Sequence, residues 1–146
     1  MKIYLATPVG GPGTNWRLKA VRAMDILVDK GLSVYCPWDM KIPHAWDYPN
    51  QEWGLMVFAN DIAAINDCDV VVFLSYGRIS SAGANWEAGY AFGIGKKVIV
   101  VEMSYPAEMS LMVSNGCFAR VKGLEGLESY DFSGEFKPTR TDTEQL

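Results

Sequence analysis

The sequence predicts a single doubly wound α/β domain, in which a sheet of about five parallel strands is covered by helices on both faces. Short, unbroken apolar runs alternate along the chain with segments of helical spacing. A strand that is apolar at every position is buried on both faces, which is typical of a parallel sheet. The length of 146 residues fits one domain, because a domain usually takes about 100–200 residues. We place this domain at residues 1–132 and a polar tail at 133–146.

The apolar runs and the turn residues between them define each element in order. Gly31 follows the first helical segment and marks its end, because glycine adopts the left-handed conformation that closes many helices. Gly93 and Gly95 mark the end of a later helix in the same way. Strands are expected at 3–6, 32–36, 70–74, 98–101 and 118–121, and helices at 15–30, 52–66, 82–94 and 108–113. This alternation predicts an architecture of the flavodoxin or Rossmann type.

The composition argues against several classes of function. The chain has 13 Lys+Arg against 17 Asp+Glu, a net charge of −4, so it lacks the basic face with which proteins follow nucleic-acid phosphates. It contains no run of about 18 apolar residues that would predict a membrane span, and its start lacks the pattern of a secretory signal. Three widely spaced cysteines and one histidine predict neither a disulfide framework nor a zinc site. We therefore expect reduced thiols, no metal, no cofactor and a cytoplasmic location.

The loops after the first two strands hold candidate binding residues, because doubly wound sheets bind ligands beyond the carboxyl ends of their strands. Thr7, Gly10 and Gly11 follow the first strand, where backbone N–H groups can approach a phosphate or a sugar. The alternative is a plain turn between strand and helix. Trp38 and Asp39 begin a loop rich in aromatic residues, whose faces suit stacking on a planar base. The alternative for these rings is a hydrophobic cover over the sheet or a subunit contact.

The segment before the third long helix and two carboxylates complete the set of candidates. Ser80 or Ser81 is a good N-cap and Gly83 lets a ligand approach the backbone, so the first turn of this helix favours an anion. Glu87 lies one to two turns further on, and a carboxylate near a helix N-terminus stays ionised, as a nucleophile must be. Asp61 borders the apolar face of the preceding helix and is a candidate acid or base. The alternatives are a simple cap for Ser81 and solvated charges for the two carboxylates.

Three segments of the chain, IYLATP, ANDIAAINDCDVVV and SAGANWEAGYAFGIGKKVIVV, resemble the nucleoside 2-deoxyribosyltransferase family, which includes relatives that hydrolyse nucleoside 5′-monophosphates. The resemblance covers most of residues 2–116. It implies that Glu87 is the nucleophile that attacks C1′ of the sugar, that Tyr4 positions this carboxylate, and that Asp61 is the acid that serves the leaving base. The chemistry suits these residue types, because a carboxylate can trap the oxocarbenium-like centre covalently.

Two serines favour the nucleotide-hydrolysing relatives. The resemblance implies that Ser81 stands where the transferases acting on free nucleosides usually carry an aspartate, which would repel a 5′-phosphate. Ser110 is similar to a serine that, in the hydrolases, reaches the phosphate from a neighbouring subunit. We therefore expect a homodimer or a larger homo-oligomer. Three methionines near Ser110 also favour an interface, because methionine packs adaptively; they are Met103, Met109 and Met112.

These observations predict an enzyme that cleaves the N-glycosidic bond of (2′-deoxy)ribonucleoside 5′-monophosphates through a covalent glycosyl-glutamate intermediate and releases the free base. The alternative is a nucleoside 2-deoxyribosyltransferase, in which a second base attacks the intermediate instead of water. A third interpretation is a non-catalytic nucleotide-binding module. The fold is also compatible with a flavin-binding module, which the absorbance of the purified protein would reveal.

Overall fold

The computed structural model describes residues 1–39, 41–104 and 109–133, which contain a five-stranded, fully parallel sheet with helices on both faces. The predicted fold class is confirmed. The strands are β1 (Lys2–Ala6), β2 (Ser33–Tyr35), β3 (Val70–Ser75), β4 (Lys97–Glu102) and β5 (Ala119–Lys122). The long helices are α1 (Trp16–Asp29), α2 (Asn50–Asp67) and α3 (Ala82–Gly93), and the short ones are α4 (Leu111–Asn115) and α5 (Gly123–Ser129).

The element boundaries differ from the predictions mainly after β4. The helix predicted at 108–113 begins instead at Leu111, one residue after its N-cap Ser110, whose hydroxyl accepts hydrogen bonds from the N–H groups of Met112 and Val113. Position 108 and the tail beyond 133 lie outside the described residues. Helix α5 was not predicted. No helix in the described parts of the chain has both the length and the apolar character that crossing a membrane requires.

The strand order, β2-β1-β3-β4-β5, determines where the sheet can bind a ligand. After β1 the chain adds β2 on one side of it, and then crosses to add β3 on the other side. The connections that leave the carboxyl ends of β1 and β3 therefore diverge to opposite faces of the sheet. Such a switch point opens a crevice, and ligands of doubly wound proteins bind there.

Strand β1 supplies side chains to both hydrophobic layers, because successive residues of a strand point to opposite faces. Ile3 and Leu5 belong to the layer that packs against α1 and α5. Tyr4 and Ala6 belong to the layer beneath α2, α3 and α4. All four side chains are almost completely buried, so a tyrosine hydroxyl enters an otherwise apolar layer.

Two helices end as the glycine pattern predicts. Gly31 follows α1 with φ of 79°, and Gly95 follows α3 with φ of 83°. Around Gly31, its own N–H donates to the carbonyl of Val28 and the next N–H donates to that of Leu27. This pair of bonds is the Schellman motif, which satisfies carbonyls that the helix itself leaves without partners. The same pair of bonds recurs at Gly95, so both helices turn sharply into the following strand.

Hydrogen bonds hold the C-terminal end of helix α2. Lys96 Nζ donates to the carbonyl oxygens of Asn66 at 2.8 Å and Cys68 at 2.7 Å, and Tyr90 donates its hydroxyl to Asn66 Oδ1 at 2.9 Å. The N-terminal half of the helix carries large exposed apolar side chains, such as Leu55 at 63% and Phe58 at 53% exposure. These contacts fix the lower part of α2 against α3.

Candidate active site

Tyr4 lies at the centre of the candidate site, on the middle of β1 and without exposed surface. Its ring stacks on that of Tyr35 from β2, with the centroids 5.5 Å apart. The Tyr4 hydroxyl interacts with the carboxyl of Glu87, but outside hydrogen-bond geometry, so it is buried with no hydrogen-bond partner among the described residues. Burial, and then the charges of Glu87 and Asp61, raise the pKa of Tyr4 far above its usual value. The hydroxyl therefore stays protonated and is available as a donor.

Glu87 reaches this hydroxyl because α3 packs closely on the sheet. Small side chains line the packed face of the helix, and among them Ala84 and Ala88 are buried. Glu87 is partly buried between them. Burial, followed by the nearby charge of Asp61, raises the pKa of Glu87 to about 7, and the Tyr4 hydroxyl opposes this rise. Near neutral pH the carboxyl is thus balanced between its two protonation states.

Asp61 brings a second carboxyl to the same place from α2. Its Oδ1 accepts a hydrogen bond from the Tyr35 hydroxyl at 3.2 Å. Burial raises the pKa of Asp61, and the Tyr35 hydrogen bond partly offsets this effect. The charge of Asp61 in turn disfavours ionisation of Glu87, as expected when two carboxyls share one site. Such a pair can share one proton.

The structure thus brings together three residues that the sequence singled out, Tyr4, Asp61 and Glu87, and adds Tyr35, which sequence analysis missed. The strand pattern offered one indication of Tyr35, because this residue ends the second strand and pairs in register with Tyr4. The partner carboxylate, however, lies 26 positions further along the chain. No local pattern connects the two.

The loop after β1 lies at the carboxyl edge of the sheet, as predicted. Thr7 is buried there. Gly10 has a left-handed backbone, with φ of 79°, and a Cβ at this position would lie 2.5 Å from Thr14 Oγ1. The turn itself therefore requires glycine here. Gly11 is exposed, and its carbonyl accepts hydrogen bonds from both the N–H and the hydroxyl of Thr14. The tight turn accounts for these glycines, and a contact of this loop with substrate stays a prediction.

The aromatic loop forms a cavity of about 600 Å³ with the start of α2. Trp38, Trp46 and Trp53 are among its lining residues, and Val57 of α2 also faces it. Asp61 follows Val57 by four residues, so it lies on the same face of α2, one turn further along. The carboxyl pair does not line this cavity but adjoins it through the helix.

Two further residues of this loop are Asp39 and His44, and His44 also lines the cavity. Asp39 belongs to a short 3-10 turn, Pro37–Asp39. The lone histidine, His44, is exposed and has a left-handed backbone with φ of 55°, and its Nδ1 lies 3.7 Å from Asp47 Oδ2. Within residues 1–39, 41–104 and 109–133, no three His, Cys, Asp or Glu side chains are grouped so that they could hold a metal ion.

The two serines both cap helices. Ser81 Oγ accepts a hydrogen bond from the N–H of Ala84 at 3.1 Å, and Gly83 is exposed in the first turn with open space at its Cα. Ser110 caps α4 and lines a cavity of about 460 Å³ that also includes Arg78 and Asn85. Neither carboxyl of the pair is among the residues that line this cavity.

The methionines expected around Ser110 have different environments. Met109 is completely buried, and Ser75 donates its hydroxyl to the Met109 sulfur at 3.6 Å. Met103 packs against the core on the opposite side of the sheet. Only Met112 is exposed, at 82%. The expected methionine cluster is therefore wrong for two of its three members, because a buried apolar position suits methionine equally well.

A doubly wound sheet with a tyrosine-supported carboxyl pair at its switch point and an aromatic cavity beside it is suited to glycosyl chemistry on a substrate with a planar ring. The model of the nucleoside 2-deoxyribosyltransferase family matches residues 3–126, and the chain belongs to this family. No match was found among curated proteins.

Several solved structures are similar to this chain. A 2-deoxyribosyltransferase from the psychrotolerant bacterium Bacillus psychrosaccharolyticus is 27% identical, with a TM-score of 0.81 over 94% of this chain and 98% of that one. A 2-desoxiribosyltransferase from Leishmania mexicana, 17% identical over 99% and 89% of the two chains, shares the fold with a TM-score of 0.53. The CMP N-glycosidase BcmB from Clostridium botulinum gives 14% identity and a TM-score of 0.48 over 100% and 88%. A TM-score this low does not establish a shared fold.

The raised pKa of Glu87 makes folding depend on pH. The pKa is about 7 in the folded protein and 4.5 ordinarily, so ionisation of Glu87 opposes folding increasingly as pH rises between these values. We expect Glu87→Gln to be more stable than the wild type above pH 7, by on the order of 2 kcal/mol, and equally stable below pH 4. Urea unfolding at a series of pH values measures this difference. Glu128→Gln, at an exposed position, is the control, and a gain for Glu87→Gln that is independent of pH would contradict the prediction.

Proposed function

We propose that this protein cleaves the N-glycosidic bond of 2′-deoxyribonucleoside 5′-monophosphates and releases the free base, with Glu87 as a covalent nucleophile. The observation that supports this most is the pair of carboxyls on two different helices, each with a tyrosine hydroxyl beside it. Membership of the family supports an enzyme acting on nucleosides or nucleotides. A purely nucleotide-binding module would have no use for a buried, mutually repelling carboxyl pair, which costs stability.

The first half of the reaction uses both carboxyls. The ionised Glu87 attacks C1′ of the sugar, the bond from C1′ to the base nitrogen breaks, and Asp61 gives its proton to the departing base. The Tyr4 hydroxyl lies beside Glu87 without a hydrogen bond in this structure; in the reacting complex it donates to the carboxylate and holds it for attack. The reacting form of the pair has Glu87 ionised and the proton on Asp61; because the charge of Asp61 raises the pKa of Glu87, protonation of Asp61 favours the ionised nucleophile.

In the second half, water replaces the base. Asp61, now a carboxylate, removes a proton from the water as its oxygen attacks C1′, and the bond to Glu87 breaks to restore both residues. The planar base lies in the aromatic cavity that Trp38, Trp46 and Trp53 line, where stacking on one ring stabilises a bound base by about 1–3 kcal/mol. The stripe formed by Val57 and Asp61 on α2 connects this cavity to the acid.

Nucleoside 2-deoxyribosyl transfer is the second candidate, and the likeness to the Bacillus psychrosaccharolyticus transferase favours it. In that reaction a second base, instead of water, attacks C1′ of the glycosyl-Glu87 intermediate. Ser81 favours the nucleotide substrate, because its neutral hydroxyl and the first-turn N–H groups of α3 suit a phosphate. The polar loop residues Thr7, Gly10, Gly11 and Asp39 complete the proposed substrate contacts.

A second copy of this chain is the proposed partner. The face around α4 is apolar and exposed at Phe92, Leu111 and Met112, and a cavity of about 350 Å³ opens between α3 and α4 on the same face. An apolar patch of this kind marks an association surface. Ser110 begins α4 beside this patch, so association would carry its hydroxyl toward the phosphate of the neighbouring subunit.

The nucleophile assignment predicts the effect of one substitution. Glu87→Ala should fold normally and lose base release by several orders of magnitude, because no other group replaces a covalent nucleophile. Liquid chromatography of bases released from each common dNMP measures this loss. Glu128→Ala is the control at an exposed glutamate, and a 2′-fluorinated analogue should trap an adduct on Glu87 in the wild type. Near-normal turnover by Glu87→Ala would exclude this role.

The phosphate preference depends on the charge at position 81. Ser81→Asp should lower kcat/KM for a dNMP by orders of magnitude and leave that for the unphosphorylated nucleoside nearly unchanged, because like charges at short range cost several kcal/mol. Ser81→Asn retains an N-cap without the charge and is the matched control. If both variants show the same dNMP-to-nucleoside ratio as the wild type, Ser81 is only a cap and the transferase becomes the better proposal.

The proposed association predicts a dimer or larger oligomer at micromolar concentration by light scattering. Met112→Glu places a charge on the apolar face and should dissociate the oligomer and lower base release with it. Leu18→Glu, which alters an apolar residue of α1 that is also largely exposed, at 64%, should change neither. A monomeric wild type with full activity would contradict both the interface and the contribution of Ser110 to a neighbouring site.

A further inference from the structure

We propose that Tyr35 is a positioning residue for the acid Asp61: its hydroxyl orients the carboxyl and stabilises the carboxylate that remains after the leaving base has been protonated. This inference rests on the proposed function and names a residue that the chemistry above does not use. It gives β2 a role in the site, next to the role of β1.

The position of Tyr35 is set by the sheet. Tyr35 ends β2 and pairs in register with Tyr4 of β1. The two rings stack with an interplanar angle of 21°. Since Tyr4 is fully buried and cannot move aside, the ring of Tyr35 has a fixed neighbour, and its hydroxyl meets Asp61 Oδ1 at 3.2 Å.

The site therefore contains two parallel tyrosine–carboxyl pairs. On β1, Tyr4 interacts with Glu87 from α3, and on β2, Tyr35 donates to Asp61 from α2. One oxygen of Asp61 is engaged by Tyr35, which leaves the other oxygen to face the base. Adjacent strands thus present two donors to two carboxyls whose tasks differ.

The chemistry of proton transfer gives Tyr35 its effect. When the glycosidic bond breaks, the O–H bond of Asp61 breaks, an N–H bond forms on the base, and Asp61 becomes an anion beside Glu87. A hydroxyl that donates to this anion makes the proton transfer more favourable, because hydrogen bonds to charged groups are about twice as strong as neutral ones. Without the Tyr35 hydroxyl, Asp61 gives up its proton to the departing base less readily.

The groups that face Asp61 come from three elements: Tyr35 on β2, Tyr4 on β1 and Glu87 on α3. The Cys36 thiol lies beside Tyr35. Loss of the Tyr35 hydroxyl removes the group that lowers the pKa of Asp61, so that pKa should rise. A more protonated Asp61 repels Glu87 less, so the pKa of Glu87 should fall.

The test compares Tyr35→Phe with Tyr90→Phe. Both variants remove one hydroxyl that donates to a side chain of α2, but Tyr90 contacts Asn66, five residues beyond Asp61, and not a carboxyl of the proposed site. Phenylalanine keeps the ring and the stacking, and thermal unfolding checks that both variants fold. Carboxyl 13C NMR titration should show opposite pKa shifts of Asp61 and Glu87 in Tyr35→Phe and none in Tyr90→Phe. Unchanged titration in Tyr35→Phe would overturn the inference.

Kinetics with two leaving groups separates assistance to the leaving base from general damage. For a dNMP, Tyr35→Phe should lower kcat/KM about tenfold or more, within the range that acid catalysis contributes. For a 4-nitrophenyl glycoside, whose leaving group departs without a proton, the loss should be much smaller. Equal losses on both substrates would overturn the role. A wild type that releases no base would instead overturn the proposed function, while the NMR titration still reports on the contact between Tyr35 and Asp61.

Discussion

The alternation of side chains along β1 is the constraint on which the site depends. Because this strand has a neighbour on each side and a helical layer on each face, its tyrosine has no route to solvent. Tyr4 must share the layer beneath α2 and α3, and its hydroxyl must be satisfied there or remain without a partner. The polar groups that meet it are carboxyls on those two helices. A shift of one residue in the register would send Tyr4 to the opposite layer and dismantle the arrangement.

The burial of the carboxyl pair lowers the stability of the folded protein when the carboxyls are ionised. Desolvation is the largest cause of the raised pKa of both Glu87 and Asp61, so the scaffold disfavours the charges that the chemistry requires. The small residues that line α3 allow this burial, because larger side chains would hold the helix away from the sheet. A tyrosine hydroxyl beside each carboxyl partly offsets the rise in pKa that burial causes. The result is a site in which one negative charge is tolerated and two are costly.

The sequence was most informative where a local rule applies. Unbroken apolar runs predicted the buried strands, and Gly31 and Gly95 marked helix ends that require a left-handed residue. Residue types and the family resemblance brought forward Tyr4, Asp61 and Glu87. Helix α5 was missed because it is only one to two turns long and begins at a glycine, Gly123–Ser129.

Features of the site that depend on contacts between distant segments were beyond sequence reasoning. The bond between Tyr35 and Asp61 joins β2 to α2 across an irregular aromatic loop, and no spacing rule connects them. Ser110 was singled out as a possible phosphate contact, whereas its role as the cap of α4 was seen only in the structure. The methionines illustrate the same limit, since Met109 and Met112 have identical side chains and opposite exposure.

The anchoring of α2 at one end has a consequence for how the site can vary. Lys96 and Tyr90 fix the helix near Asn66, and Asp61 lies only five residues, or about 7.5 Å, from that anchor. Trp53, near the N-terminal end of α2, lies about 20 Å from the same anchor. Small tilts of the helix therefore displace the aromatic wall much more than the acid. The aromatic cavity can therefore change shape while the carboxyl pair keeps its alignment, so the two regions can vary separately along a single helix.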